Sequence, residues 1–148
     1  IGSGLVGSEM CIRDRGGVGE PLILAASVAD TAYIIVTPTR AAIRAAERTA
    51  FFLHNKGVRR ERLIINKIAG RTAIKARKEI ISIIDEASVK LIGAVPYDPE
   101  LIFASDNGKL VDEMLSFNIT NAFDNIAKRT LGEACPLFNG IKRLKNIR

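Results

Sequence analysis

Residues 33–66 read YIIVTPTRAAIRAAERTAFFLHNKGVRRERLIIN, and this stretch decides the fold. Two short runs rich in β-branched residues, YIIVT at 33–37 and LIIN at 63–66, bracket a longer segment. A short run that is apolar on both faces is the pattern of a parallel strand buried on both sides. Between the runs, residues 40–56 carry Ala42, Ile43, Ala46, Ala50, Phe51 and Leu53 at helical spacing, with Arg44, Glu47 and Arg48 turned away. Gly57 follows the helical segment, where a glycine cap is expected. The stretch thus reads as strand, helix, strand.

The pattern extends in both directions. LIGAV at 91–95 repeats the strand signal, and residues 73–86 put Ile74, Ile80, Ile81, Ile83 and Ile84 on a helix before it. Their β-preference is expected to yield to burial against a sheet. Upstream, residues 21–29 begin with Pro21, which suits a first helical turn. Alternating helices and strands imply right-handed crossovers and a parallel sheet with helices on both faces. The fold class is α/β, and three strands make it a partial doubly wound sheet. No internal repeat or long linker marks a second domain.

The chain carries 22 Lys and Arg against 16 Asp and Glu, a formal charge of +6. A basic balance admits nucleic acid or an anionic lipid surface as partner without choosing between them. Residues 5–15, LVGSEMCIRDR, resemble the in-frame translation of a transposase adapter used in DNA sequencing libraries. That resemblance implies that residues 1–15 are not native and are set aside in reasoning about the fold. The charge is unchanged by this, because Arg13 and Arg15 balance Glu9 and Asp14. Cys11 goes with the segment, and the remaining Cys135 cannot form an internal disulfide, which suits a reducing compartment. No run of about eighteen apolar residues reads as a membrane-spanning helix. Residues 22–28 are too short for a secretory signal and follow Glu20 rather than a basic region.

Residues 16–20 read GGVGE, one letter from the GGVGK that opens a phosphate-binding loop. Such a loop needs a preceding strand, a lysine for the β and γ phosphates, and a Ser or Thr hydroxyl for magnesium. Here Glu20 stands for the lysine and repels phosphate. Pro21 stands for the hydroxyl residue and has no amide to donate. A working phosphate cradle is not expected.

Gly17-Val18-Gly19-Glu20-Pro21, an apolar helix and the strand YIIVTPT together resemble the middle of the MinD/ParA family of P-loop ATPases. The matching pieces continue in order: Val36-Thr37-Pro38, then AAER at 45–48, where relatives often carry Asp-Ala-Asp-Arg. Leu63-Ile64-Ile65-Asn66-Lys67 and LIGAVPYD at 91–98 follow, and ASDNG at 104–108 is like the family's Ala-x-Asn-x-Gly. The resemblance covers nearly all of residues 16–148. It implies the C-terminal half of a MinD-like ATPase domain at 16–134 and a membrane-targeting tail at 135–148. The parent would hold ATP and Mg²⁺, hydrolyse ATP in a nucleotide-dependent homodimer, and cycle between the cytoplasm and the inner face of the cell membrane. With cell-division regulatory proteins it would help to position the septum. Neither the phosphate-loop lysine nor the switch aspartate is found here, so the chain alone is expected to be inactive and to bind ATP weakly.

The resemblance also assigns residues. Asn66 would meet the adenine edge, with the backbone of Pro96, Tyr97 and Asp98 lining the same pocket. Gly17, Val18, Gly19 and Glu20 would be the remnant of the switch II helix start. From the residues alone, Asn66 lies at the C-terminal end of a strand, where open α/β sheets bind ligands. It also fits a plain turn, as does Pro-Asp. Lys67 suits either a cover for the base or a solvated position.

From residue 137 the chain reads LFNGIKRLKNIR. Leu137, Phe138, Ile141, Leu144 and Ile147 form an apolar stripe, rimmed by Lys142, Arg143, Lys145 and Arg148. Such a helix can lie in an anionic membrane surface, each basic residue adding roughly 1 kcal/mol. Pro136 separates it from a helix read at 117–131. MinD proteins end in such a helix and DNA-binding ParA proteins generally do not. A helix packed on the core, or a frayed basic tail, is the other reading. Gly140 weakens the helix by roughly 1 kcal/mol and favours folding on lipid contact.

Other chemistry is sparse. His54 is the one histidine, without partners at ligand spacing, and no metal site is expected. The adjacent acids Asp85-Glu86 and Asp112-Glu113 point apart on a helix rather than forming dyads. Basic residues lack interleaved aromatics, so nucleic acid is not an expected partner. The rival within the family is a DNA-segregation or flagellar-placement ATPase, and a remote one is a response-regulator-like binding module, which would need acidic residues at early strand ends.

Overall fold

The computed structural model describes residues 19–69, 73–99 and 117–137. Their order is α1 (Glu20–Val28), β1 (Thr31–Val36), α2 (Arg40–Asn55), β2 (Arg60–Ile68), α3 (Ala73–Ala87), β3 (Leu91–Pro96) and α4 (Phe117–Thr130). The strands form one parallel sheet in the order β1-β2-β3, so the fold is α/β as the pattern required.

Local chemistry sets the ends of α2. The Thr39 hydroxyl accepts from the Ala42 N–H at 3.3 Å and satisfies one of the donors left open at a helix start. At the other end Gly57 takes φ +88 and its N–H donates to the His54 carbonyl at 3.0 Å. No atom lies within 4 Å of where a Cβ would be, so backbone conformation rather than space requires the glycine.

Residues paired in register share a face. Ile34 pairs with Leu63, Val36 with Ile65, and Ile65 with Ala94, and all of these are buried. Ile43, Ala46 and Leu53 of α2 and Ile80 and Ile83 of α3 belong to the same core cluster. Burying each large aliphatic contributes about 1.5–3 kcal/mol. Both helices lie on this face because consecutive right-handed crossovers put them there. The opposite face carries Tyr33, Ile35, Arg62, Ile64 and Gly93. There α4 packs on β3 so closely that a Cβ on Gly93 would collide with Ile126.

That asymmetry corrects one expectation. The first apolar run reads as buried on both faces, yet in β1 Ile35 is 65% and Tyr33 44% exposed. Among the described residues, α4 covers the β3 side of the second face and leaves the β1 side open. Phe51, placed by spacing on the packed face of α2, is 71% exposed, and Phe52 packs instead. One residue is a 100° turn, and between adjacent aromatics the spacing does not choose. Of the α3 isoleucines expected to be buried against the sheet, Ile80 and Ile83 are buried and Ile84 packs partly on the core, but Ile81 is 36% exposed because it falls a 100° turn off the packed face. The side chain of Ile74 is outside the described residues. In α1, Ala26 and Leu22 reach the core while Leu24 and Val28 remain exposed.

Candidate functional site

The strand ends that carry the candidate residues are shaped by a bulge. Between the pairs Ile65↔Ala94 and Ile68↔Pro96, β2 holds two residues, Asn66 and Lys67, where β3 holds Val95. Lys67 absorbs the extra length with φ +60, a left-handed conformation uncommon outside glycine. Its N–H donates to Asn66 Oδ1 at 2.9 Å. Pairing then resumes, with the Tyr97 N–H donating to the Ile68 carbonyl at 3.0 Å.

This geometry brings Asn66 and Lys67 beside Pro96, Tyr97 and Asp98 at the same end of the sheet, on strands about 4.8 Å apart. Asn66 is half-buried, Lys67 and Tyr97 are exposed, and Asp98 is half-buried and engaged in an interaction of its own. With Oδ1 held by the neighbouring amide, the Asn66 side chain has its two Nδ2 donors left to offer. The strand pattern put these residues at strand ends and the resemblance made them candidates, but neither revealed the bulge. A lysine gives no sign of a left-handed residue, and the asparagine before it is the one local hint of a turn.

Gly19 is the N-cap of α1, its carbonyl accepting from the Leu22 and Ile23 N–H groups at 3.1 and 3.2 Å. Glu20 is exposed in the first turn, where a carboxylate suits the helix dipole. Gly17 and Val18 lie outside the described residues, as do Phe138, Ile141, Lys142, Arg143, Leu144, Lys145, Ile147 and Arg148. Leu137 is described, and it is 2% exposed within the core cluster. The stripe read from the sequence therefore has its first member packed in the domain rather than offered to lipid.

A second feature lies at the other end of the sheet, about 20 Å along β2 from Asn66. Arg129 of α4 donates from Nε to the Ile92 carbonyl at 2.9 Å, from Nη1 to the Cys135 carbonyl at 2.8 Å, and from Nη2 to the Leu91 carbonyl at 3.5 Å. One guanidinium ties the start of β3 to the segment before Leu137. Cys135 Sγ adds a contact of 3.4 Å to the Asn125 carbonyl. Elsewhere, His54 Nδ1 is 3.6 Å from Glu61 Oε1, outside hydrogen-bond reach, and that buried oxygen has no hydrogen-bond partner. Among the described residues, no group of His, Cys, Asp and Glu is placed to hold a metal ion, and no helix is long and apolar enough to cross a membrane.

No family model matches the chain. Individual proteins do. The septum site-determining protein MinD of Bacillus subtilis is 33% identical over 115 residues, covering 76% of this chain and 43% of that protein. A putative MinD of Emiliania huxleyi is 33% identical and covers 92% of this chain and 54% of its own length. The solved MinD cell division protein of Aquifex aeolicus superposes with a TM-score of 0.71 at 29% identity, over 82% of this chain and 52% of that one. This chain belongs to the MinD family. A MinC:MinD complex from Aquifex aeolicus matches with a TM-score of 0.70, also at 29% identity, over 82% of this chain and 50% of that one. The MinD-like chain spans about half the length of the relatives it matches.

Proposed function

We propose that this chain forms the adenine side of a MinD-like ATPase that helps to place the division septum. The observation that carries the nucleotide reading is the bulge at the end of β2. It puts Asn66, whose Oδ1 is taken by the Lys67 amide and whose Nδ2 donors are unspent, on the strand next to the one that runs into Pro96, Tyr97 and Asp98, at the sheet end where α/β folds take ligands. Amide donors there can meet the ring-nitrogen acceptors of a purine. The triphosphate and its Mg²⁺ do not fit the GGVGE stretch, because Glu20 repels phosphate and Pro21 lacks both hydroxyl and N–H. The chain alone therefore binds the base weakly and does not turn over ATP.

Amide chemical shifts test this. Millimolar adenosine is expected to move the signals of residues 66–68 and 96–98, and Asn66→Ala to abolish those movements. Movements confined to other regions would sink the adenine reading, and magnesium-dependent ATP turnover by the purified chain would sink the claim of inactivity.

Membrane cycling, homodimerisation with nucleotide, and partnership with a cell-division regulator complete the proposal. The basic, apolar sequence at 138–148 supports the first, and the MinC:MinD complex of Aquifex aeolicus supports the last. With Leu137 packed in the core, the lipid-facing stripe begins at Phe138. Phe138→Glu is expected to abolish sedimentation with anionic vesicles.

A further inference from the structure

The N-terminal ends of the three strands open on a cavity of about 710 Å³, at the end of the sheet away from Asn66. Arg60, Arg62, Lys90 and Arg129 line it, and Glu133 is the one carboxylate among its described lining residues. Arg129 is committed to three backbone carbonyls. Arg62 uses Nη1 on the Glu61 carbonyl at 2.9 Å and keeps its other N–H donors. Arg60 and Lys90 are exposed and form no ion pair among the described residues. Register explains their convergence. Arg60 and Arg62 are two apart on β2 and so share a face, and Lys90 immediately precedes β3. Cations gathered with so little compensating charge attract an anion, and guanidinium and ammonium donors suit phosphate oxygens.

We propose that this cavity binds the phosphate of an anionic lipid headgroup. The phosphate chemistry stands on the cavity alone, while the lipid source rests on the membrane reading given above. Cys135 lines the cavity and its carbonyl is fixed by Arg129. Phe138 follows three residues later, within about 10 Å of extended chain. Chain length alone keeps the start of the tail within reach of the cavity mouth, so a lipid surface held by the one is accessible to the other.

Sedimentation of the full chain with vesicles of phosphatidylcholine, with and without phosphatidylglycerol, tests this. Arg60→Gln with Lys90→Gln is compared with Phe138→Glu. Both cavity positions are exposed, and an unchanged thermal melt confirms that the variant folds. The cavity variant is expected to weaken binding to the anionic vesicles roughly 25-fold, at about five-fold per basic residue, and to flatten its salt dependence. Inorganic phosphate should compete with the vesicles and raise the melting temperature of the original chain but not of the variant. Loss of binding in the cavity variant with none in Phe138→Glu supports the cavity and overturns the tail. Unchanged vesicle binding in the cavity variant, with loss in Phe138→Glu, overturns the cavity and leaves the tail reading intact. Phosphate stabilisation without vesicle binding overturns the lipid source in favour of free phosphate. Duplex DNA bound by the original chain and not by the cavity variant, with vesicles ignored, overturns it in favour of nucleic acid.

Discussion

Lys67 and Gly93 show how much a single position can carry without announcing it. Lys67 is held left-handed by the bulge. A β-branched residue there should cost about 1–2 kcal/mol, whereas Lys67→Gly should be neutral or mildly stabilising. Urea titration of Lys67→Val and Lys67→Gly checks this, and equal effects would mean that the left-handed conformation is not maintained. At Gly93 space decides, because a methyl group would collide with Ile126. Gly93→Ala should destabilise by about 1–3 kcal/mol, and Ile126→Ala in the same chain should recover part of that loss, which a double-mutant cycle measures. Asn66 was legible from its place after an apolar run. Lys67 and Gly93 were not, because neither residue type declares a bulge or a close helix crossing.

The elements were more legible than their ends and faces. Hydrophobic period separated strands from helices throughout 33–95, and the glycine after α2 marked its stop. Gly57→Ala should cost about 1 kcal/mol, a purely conformational loss that calorimetry would read as a lower melting temperature. Phe51 and Phe52 exchanged roles because periodicity leaves adjacent aromatics undecided. What no periodicity discloses is the attachment of α4. Its Arg129 reaches three carbonyls of two segments, and such a planar fork has no equivalent in an ammonium. Arg129→Lys should therefore increase amide exchange at residues 133–137, with little change in the α2 and α3 core. Protection unchanged from the original chain would show that the fork is dispensable.

At the scale of the whole molecule, the described elements cover one face of the sheet fully and the other in part. The sequence could not show this, since a run apolar on both sides predicts that cover exists without saying which segment supplies it. Ile35, on the open side, is left 65% exposed, and unpartnered apolar surface beside a strand edge promotes association. Ultracentrifugation should find concentration-dependent self-association that Ile35→Lys reduces without lowering the melting temperature. The relatives are about twice as long as the matched region, and in a longer chain the same surface is available for cover. The Arg129 fork has a mechanical consequence as well. A pull on the chain after Leu137 is met first by that side chain's packing in the core and then by the Arg129 fork, which passes load from the Cys135 carbonyl to those of Leu91 and Ile92, so the last turn of α4 and the start of β3 share the tension.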